Sequence, residues 1–303
     1  MYDIIGDIHG HYPLLIKMLK QLGYTKNGKS FSKPDRKVIF TGDIINRGPE
    51  IRNTINLVRN MVDNGDALCI LGNHEWNAIL FATIDKQGKF FQKHLPRYQL
   101  PLSNTLEEYK ADPDEFADVI KWFRRLPFYL DLDGLRVVHG SWNDKHIETI
   151  AQFRKDEVKI KKDFLKEYLS NKELNTAVDE LLKGIEFQLP KDFLLKDDKG
   201  IIRRNFRIKW WETAEGKTFK RIAFGNRFKM PAYTIPKELI PETYPYPIDA
   251  PPVFLGHYCL NKEKIIYQDN ICCIDTCVVR TQKLTAYRWN GEPKLNPEHL
   301  IRL

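Results

Sequence analysis

Seven side chains able to hold cations or move protons recur in this 303-residue sequence, all within short glycine-bearing motifs. Asp7 and His9 lie in GDIHG (6–10), Asp43 in GDIINRG (42–48), Asn73 and His74 in GNHE (72–75), His139 in HG (139–140) and His257 in GH (256–257). Glycine lets the backbone turn sharply and lets a small ion sit close to it. The ligand atoms on offer are carboxylate, amide oxygen and imidazole, with no thiolate. That set suits divalent ions such as manganese, iron or zinc better than a structural cysteine–zinc site. The bland alternative, seven unrelated capping or surface residues, does not explain one ordered scheme.

Each motif needs an element to aim it. Three times in the first third of the chain a short β-rich run meets a glycine turn and then a stretch with helical spacing, which is βαβ grammar and predicts a parallel sheet. The runs are YDII (2–5), KVIFT (37–41) and ALCIL (67–71). Leu14, Leu15, Met18, Leu19 and Leu22 form the apolar face of a helix from about Tyr12, stopped by Gly23. A second helix carries Ile51, Ile55, Leu57, Val58, Met61 and Val62 and ends at Asn64-Gly65. Asp112-Pro113-Asp114 starts another, running through Arg125. Phe128 to Leu132 and Leu135 to Val138, around Asp133-Gly134, read as a hairpin that delivers His139. Strand-like runs resume at Val253 to Tyr258, Ile271 to Val279 and Leu284 to Trp289. Because strands on both sides carry site residues, the reading is one α/β domain over 1–303 interrupted by a helical and loop insertion from about 145 to 250.

The composition is that of a globular chain, 42% hydrophobic and 29% charged, which excludes disorder as the main state. The net charge of +8 favours phosphate-rich or acidic partners without the dense basic runs of a dedicated nucleic-acid binder. Five cysteines, Cys69, Cys259, Cys272, Cys273 and Cys277, are an odd number set among hydrophobic residues, so a reducing cytoplasm without a disulfide scaffold is expected. The first strand begins directly after Met1, which leaves no room for a signal peptide. No apolar run approaches the roughly 18 to 20 residues of a membrane-crossing helix.

Taken in order, the five motifs resemble the metallophosphoesterases of the calcineurin and phosphoprotein phosphatase superfamily. The bacterial serine/threonine phosphatases, the symmetrical dinucleoside tetraphosphatases and the phosphatase module of bacterial polynucleotide kinase-phosphatases are similar in the same way. The resemblance implies a four-layer α/β/β/α sandwich and a hydrolase with two divalent ions, manganese foremost, with iron, zinc or nickel also suited. In that scheme Asp7 and His9 hold one ion, Asn73, His139 and His257 hold the other, and Asp43 bridges them. Ions roughly 3.5 to 4 Å apart share a hydroxide that attacks phosphorus in line. Arg47 presents a planar fork to phosphate oxygens, which a lysine could not reproduce. His74 protonates the departing oxygen, a role worth about 100-fold to 10,000-fold. Asp275, in ICCIDTCVV, is expected to hydrogen-bond a metal-binding histidine, while Cys272, Cys273 and Cys277 around it are read as strand packing.

The sequence departs from that pattern in two places. Asn46 stands where the phosphoprotein phosphatases have an aspartate that orients and charges the catalytic histidine. An amide orients an imidazole but does not stabilise its cation, so phosphoanhydrides and aryl esters are favoured over alkyl esters. Ser141-Trp142 replaces a second glycine. The substrate stays open among phosphoserine or phosphothreonine proteins, dinucleoside polyphosphates, and nucleotide or nucleic-acid phosphates. Within the insertion, Arg203, Arg204, Arg207, Trp210 and Trp211 form either a cap binding substrate phosphate, through Arg204 and Arg207, and stacking a base, or a solvated basic face on two core tryptophans. Asn226-Arg227 is a further possible phosphate contact, and His11 a helix-start residue near His9. The competing class is a non-catalytic, metal-retaining module that binds an RNA end or a protein through this insertion. No signal bears on oligomeric state.

Overall fold

The computed structural model describes residues 1–154, 158–189, 195–196, 202–225, 230, 232–240, 242–260 and 264–303. Ten strands build two five-stranded sheets. They are β1 (Tyr2–Ile5), β2 (Lys37–Phe40), β3 (Ala67–Cys69), β4 (Tyr129–Leu132), β5 (Leu135–Val138), β6 (Val253–Leu255), β7 (Ile266–Gln268), β8 (Ile271–Cys273), β9 (Thr285–Trp289) and β10 (Leu300–Arg302).

The first sheet runs β10-β9-β1-β2-β3 and the second β7-β8-β6-β5-β4. The three early strands are parallel as expected, with Ile5 opposite Phe40 and Phe40 opposite Cys69. In the second sheet β6 lies parallel to both β5 and β8, with Leu255 between Val138 and Cys273. Strand alternation then sorts the side chains. Ile4, Ile39, Val137, Phe254, Cys272 and Tyr287 point between the sheets and form one buried cluster. Ile5, Val38, Phe40, Val138, Leu255 and Cys273 point outward into a second. This is the two-sheet sandwich implied by the resemblance, in place of the single sheet that the βαβ periodicity suggests alone.

On the outer face of the first sheet, α1 (Tyr12–Gln21) begins with Pro13 in its first turn and buries Leu15, Met18 and Leu19. α2 (Ile51–Asp63) buries Ile51, Ile55, Val58 and Met61 at the same spacing. α3 (Asn73–Ala82) follows β3, with α4 (Ser103–Glu108) and α5 (Pro113–Phe123) beyond it. Between β5 and β6 the chain leaves the sheet and returns. This excursion carries α6 (Asp144–Phe153), α7 (Lys162–Ser170) and α8 (Lys172–Lys183), then a small hairpin pairing Glu186–Gln188 with Asn205–Arg207. The helical part of the expected insertion is thus three helices. α8 is seated on the second sheet by a close approach, since a Cβ on Gly140 would stand 2.3 Å from the Gly184 nitrogen.

Two further expectations change. The run from Ile271 ends as a strand at Cys273, and a one-turn helix covers Val278–Thr281. Cys259 and Cys277 are paired in a disulfide, whereas Cys69, Cys272 and Cys273 are buried free thiols. The pairing joins loops that come together only in the folded chain, which is why spacing does not reveal it. Among the described residues no helix is long and apolar enough to cross a membrane.

Candidate metal centre

Both sheets present their parallel strands' carboxyl ends to the same edge, the position at which ligands bind in such sheets. β1 leads to Asp7 and His9, β2 to Asp43, Asn46 and Arg47, β3 to Asn73 and His74, β5 to His139, β6 to His257 and β8 to Asp275. Five of these residues hold a left-handed backbone: His9 (φ 46°), Asp43 (50°), Asn46 (68°), Arg47 (67°) and His257 (68°). Side chains with a Cβ occupy that region at a cost of about 1–2 kcal/mol each, and the cost is offset by a dense local network. The His9 and Gly10 N–H groups donate to the carbonyls of Asp43 and Ile44, both at 2.9 Å.

Asp43 is the centre of the arrangement. Its Oδ2 lies 3.3 Å from His139 Nε2, 3.7 Å from His9 Nε2 and 3.9 Å from His74 Nε2. Two donor sets share it, His9–Asp43–His74 and Asp43–His139–His257. Asn73 joins the second set, its Oδ1 lying 2.7 Å from His257 Nδ1 and 3.3 Å from His139 Nε2. Backbone carbonyls turn the rings inward: His9 Nδ1 donates to Ile45 O (2.8 Å) and His139 Nδ1 to Thr41 O (2.7 Å), so each offers Nε2 to Asp43.

The donor set fits divalent cations. Asp7, Asp43, Glu75 and Asp275 are all buried around this edge, and the nearest motif cation, Arg47, is exposed at the rim. Buried carboxylates without a counter-charge are costly. The charge imbalance shows in the rings. Burial opposes a proton on His139, but Asp43 and then Asp7 outweigh it and push its pKa up to about 10. Burial also opposes the Asp43 carboxylate, yet His139 and His74 hold its pKa well below the usual range. Burial raises Asp7, helped by Asp275, and depresses His9, helped by His74. His257 Nε2 is buried with no hydrogen-bond partner among the described residues.

Asp7 is buried beside the two donor sets, where Asp43 and His139 bear on its carboxyl group; its Oδ2 accepts the His257 N–H at 3.0 Å and its Oδ1 the Thr41 hydroxyl at 3.3 Å. The His74 ring stands edge-on to that of His9, with centroids 4.8 Å apart. Asp275 reaches no histidine ring. Its oxygens accept the N–H groups of Cys259 (2.5 Å) and Cys277 (2.8 Å), so it braces the loop after His257. Asn46 does touch His74, with its amide 2.6 Å from Nδ1, and its other end meets the Thr105 hydroxyl at 2.5 Å. Arg47 Nη2 stands 3.1 Å from His74 Nε2. Burial first, then Arg47 and His139, lower the His74 pKa to about 4 against the pull of Asp43.

In the excursion, Arg207 is placed over the Tyr258 ring at 5.8 Å and bears on His257, second only to burial in depressing that ring's pKa. Arg204 is exposed, its carbonyl accepting the Leu189 N–H. Trp210 and Trp211 are each 1% exposed, so they are core and not a stacking platform. His11 Nδ1 lies 3.0 Å from the carbonyls of Ile8 and His9 at the start of α1. Asn226-Arg227 fall outside the described residues.

Motif reading missed Glu75, the most connected side chain of the site. One oxygen accepts the N–H groups of Asp43 (2.8 Å) and Gly72 (3.0 Å), and the other those of Ile44 (3.0 Å) and Ile45 (3.2 Å). It therefore caps α3 and cradles the Asp43 loop at once. The available signal was glutamate three residues after the helix-capping Gly72, the position from which a side chain reaches back to the cap. Burial, then Asp43, raise its pKa to about 7.

The profile of the calcineurin-like phosphoesterases matches residues 2–195. Among similar curated proteins, an asymmetrical bis(5'-nucleosyl)-tetraphosphatase PrpE of Geobacillus sp. (strain WCH70) is 33% identical over 188 residues, 55% of this chain and 73% of that protein. A protein of the same name from Oceanobacillus iheyensis is 34% identical over 142 residues, 45% of this chain and 53% of that one. Among solved structures, a cold-active protein tyrosine phosphatase aligns with 95% of this chain and 73% of its own at 12% identity and a TM-score of 0.54, a likeness of fold.

Proposed function

This chain belongs to the calcineurin-like phosphoesterases and is a hydrolase, and from that premise we propose that it cleaves dinucleoside polyphosphates at a centre of two manganese ions. One observation carries the reading of the site: a single Asp43 oxygen faces the ring nitrogens of His9, His74 and His139 within 3.9 Å. Asp7, His9 and Asp43 would hold one ion, and Asp43, Asn73, His139 and His257 the other, which leaves His74 free to carry a proton. Such ions supply Lewis acidity to phosphoryl oxygens and lower the pKa of water for attack on phosphorus. Oxygen and nitrogen donors without thiolate are the basis for manganese.

The chain's own residues do the rest. Arg47, exposed at the rim beside His74, offers two parallel N–H groups to phosphoryl oxygens. His74 faces the departing oxygen and serves as its proton donor, with Asn46 fixing the ring but adding no charge. That arrangement supports anhydride substrates, whose leaving phosphate needs little protonation. Arg207, carried by the excursion to the His257 side, is suited to further phosphates of a polyphosphate chain, and the exposed Arg204 of the same segment is assigned to them as well. The names of the similar tetraphosphatases point the same way. We further propose that the excursion from about 145 to 250 acts as the cap of a single domain and that the protein works in the cytoplasm. The buried Trp210 and Trp211 withdraw the aromatic platform on which a non-catalytic RNA-end reading rested.

The test is a manganese-loaded comparison of diadenosine tetraphosphate, a phosphopeptide and a bis-aryl phosphate. Diadenosine tetraphosphate should give the highest kcat/KM, with Asp43→Ala abolishing both turnover and bound metal. Preference for the phosphopeptide would overturn the substrate assignment. Protein that neither binds manganese nor cleaves any of the three would overturn the centre itself.

A further inference from the structure

Beside the metal centre lies a cavity of about 450 Å³ whose lining includes Arg47, Asn73, His74, Asn77, Leu100 and Asn104. Its inner rim is the catalytic set already described, and its outer wall has a different chemistry. Among the described residues, no charged side chain apart from Arg47 lines it. Asn77 follows Asn73 by one helical turn, so α3 presents both amides on one face. The Asn77 side chain has no hydrogen-bond partner among the described residues and is half-buried. Leu100 is 70% exposed and is followed by Pro101, giving an apolar surface next to a row of neutral hydrogen-bonding groups.

That wall is held in place. Glu108, at the end of α4, accepts the N–H groups of Ile51 (2.8 Å) and Arg52 (2.7 Å) at the start of α2. The same helix sends Asn104 Nδ2 to the Arg47 carbonyl at 3.2 Å and Thr105 to Asn46. The cavity wall and the catalytic residues are thus parts of one braced unit.

We propose that this cavity is the subsite for a nucleoside attached to the phosphate under attack. The proposal rests on the phosphoanhydride reading above and deepens it. A polyphosphate tail needs cations, which this wall lacks, and the phosphopeptide arm of the test below decides against a peptide occupant. A nucleobase needs both, an apolar surface for its ring and neutral donors and acceptors for its edge, and the cavity falls in the size range of small-ligand sites.

The experiment uses the full chain and the double variant Asn77→Ala/Leu100→Ser. Both positions lie at the surface, and alanine is a strong helix former at 77. Two readouts are taken: kcat/KM for diadenosine tetraphosphate against p-nitrophenyl phosphate, and equilibrium binding of adenosine monophosphate against inorganic phosphate. Loss of one hydrogen bond and one apolar contact should weaken the nucleotide readouts by about tenfold more than their nucleoside-free counterparts, mostly through KM. Equal losses on both members of each pair overturn the subsite, as does a variant whose loss falls on a phosphopeptide instead. If the unaltered protein binds adenosine monophosphate no better than phosphate, the subsite fails. If it binds the nucleotide but does not cleave diadenosine tetraphosphate, the subsite stands and the anhydride reading fails.

Discussion

Glu75 and Asn46 show how much of the chemistry depends on side chains that touch no substrate. Glu75 satisfies four backbone N–H groups with two oxygens. Glu75→Gln keeps the shape but turns one acceptor into a donor facing N–H groups. It should lower unfolding free energy by about 1–3 kcal/mol and reduce bound manganese, measured by urea titration and by metal analysis of the same sample. Unchanged values for both would remove Glu75 from the support of Asp43. Asn46→Asp should restore charge behind His74 and raise alkyl-phosphate turnover relative to anhydride turnover, read as a ratio of kcat/KM values. A constant ratio would mean that the amide does not set leaving-group preference. Asp275 teaches the complementary lesson: it was expected to hydrogen-bond a metal-binding histidine, while its hydrogen bonds place it under the loop after His257.

Glycine contacts between elements set the distances that the donors need. Gly42 follows β2 with φ +90°, and a Cβ there would stand 2.4 Å from the Gly72 nitrogen at the start of α3. Gly42→Ala therefore forces apart the two turns that carry Asp43 and His74. We expect a loss of at least about 3 kcal/mol in stability, as for other strained overpacked sites, with manganese binding lost along with activity. Retained metal stoichiometry in a folded variant would show that the turns can yield. The βαβ units were legible because apolar periodicity is a local property, and the three early motifs fall at the expected strand ends. The partnership of β5 with β6 was not, since it closes across the 139–252 excursion and leaves no mark in either strand's own pattern.

For the molecule as a whole, buried charge predicts two responses to solution conditions. Removing metal with a chelator should lower the thermal midpoint, because ions bind the folded donor sets and not the unfolded chain; saturation at 100 times Kd corresponds to about 2.7 kcal/mol. Scanning calorimetry with and without excess manganese checks this, and identical midpoints would speak against a resident ion. At high pH, Tyr24, Tyr109 and Tyr168 matter. Burial raises all three hydroxyl pKa values, with the Asp3, Glu115 and Asp179 carboxylates adding to it. Above the unfolded value of about 10 the folded state holds more protons than the unfolded state, so stability falls as pH rises. The slope is about 1.4 kcal/mol per pH unit for each fully buried tyrosine. Base titration followed by circular dichroism should show unfolding begin above about pH 10, and a flat profile to pH 12 would contradict the burial of these groups.

Sequence by itself was enough for the metal-competent residue types, for their placement after short apolar strands and for the family they resemble, because ligand chemistry and apolar periodicity are both written in local order. The resemblance also implied Asn46 as the partner of His74, although the two residues lie in different motifs. The resemblance implied the shared place of Asp43; only the tertiary structure decided that Glu75 holds its loop, that Trp210 and Trp211 are core, and that Cys259 meets Cys277. Each of these depends on distances between segments far apart in the chain, and those distances exist only once the two sheets have closed on a common core.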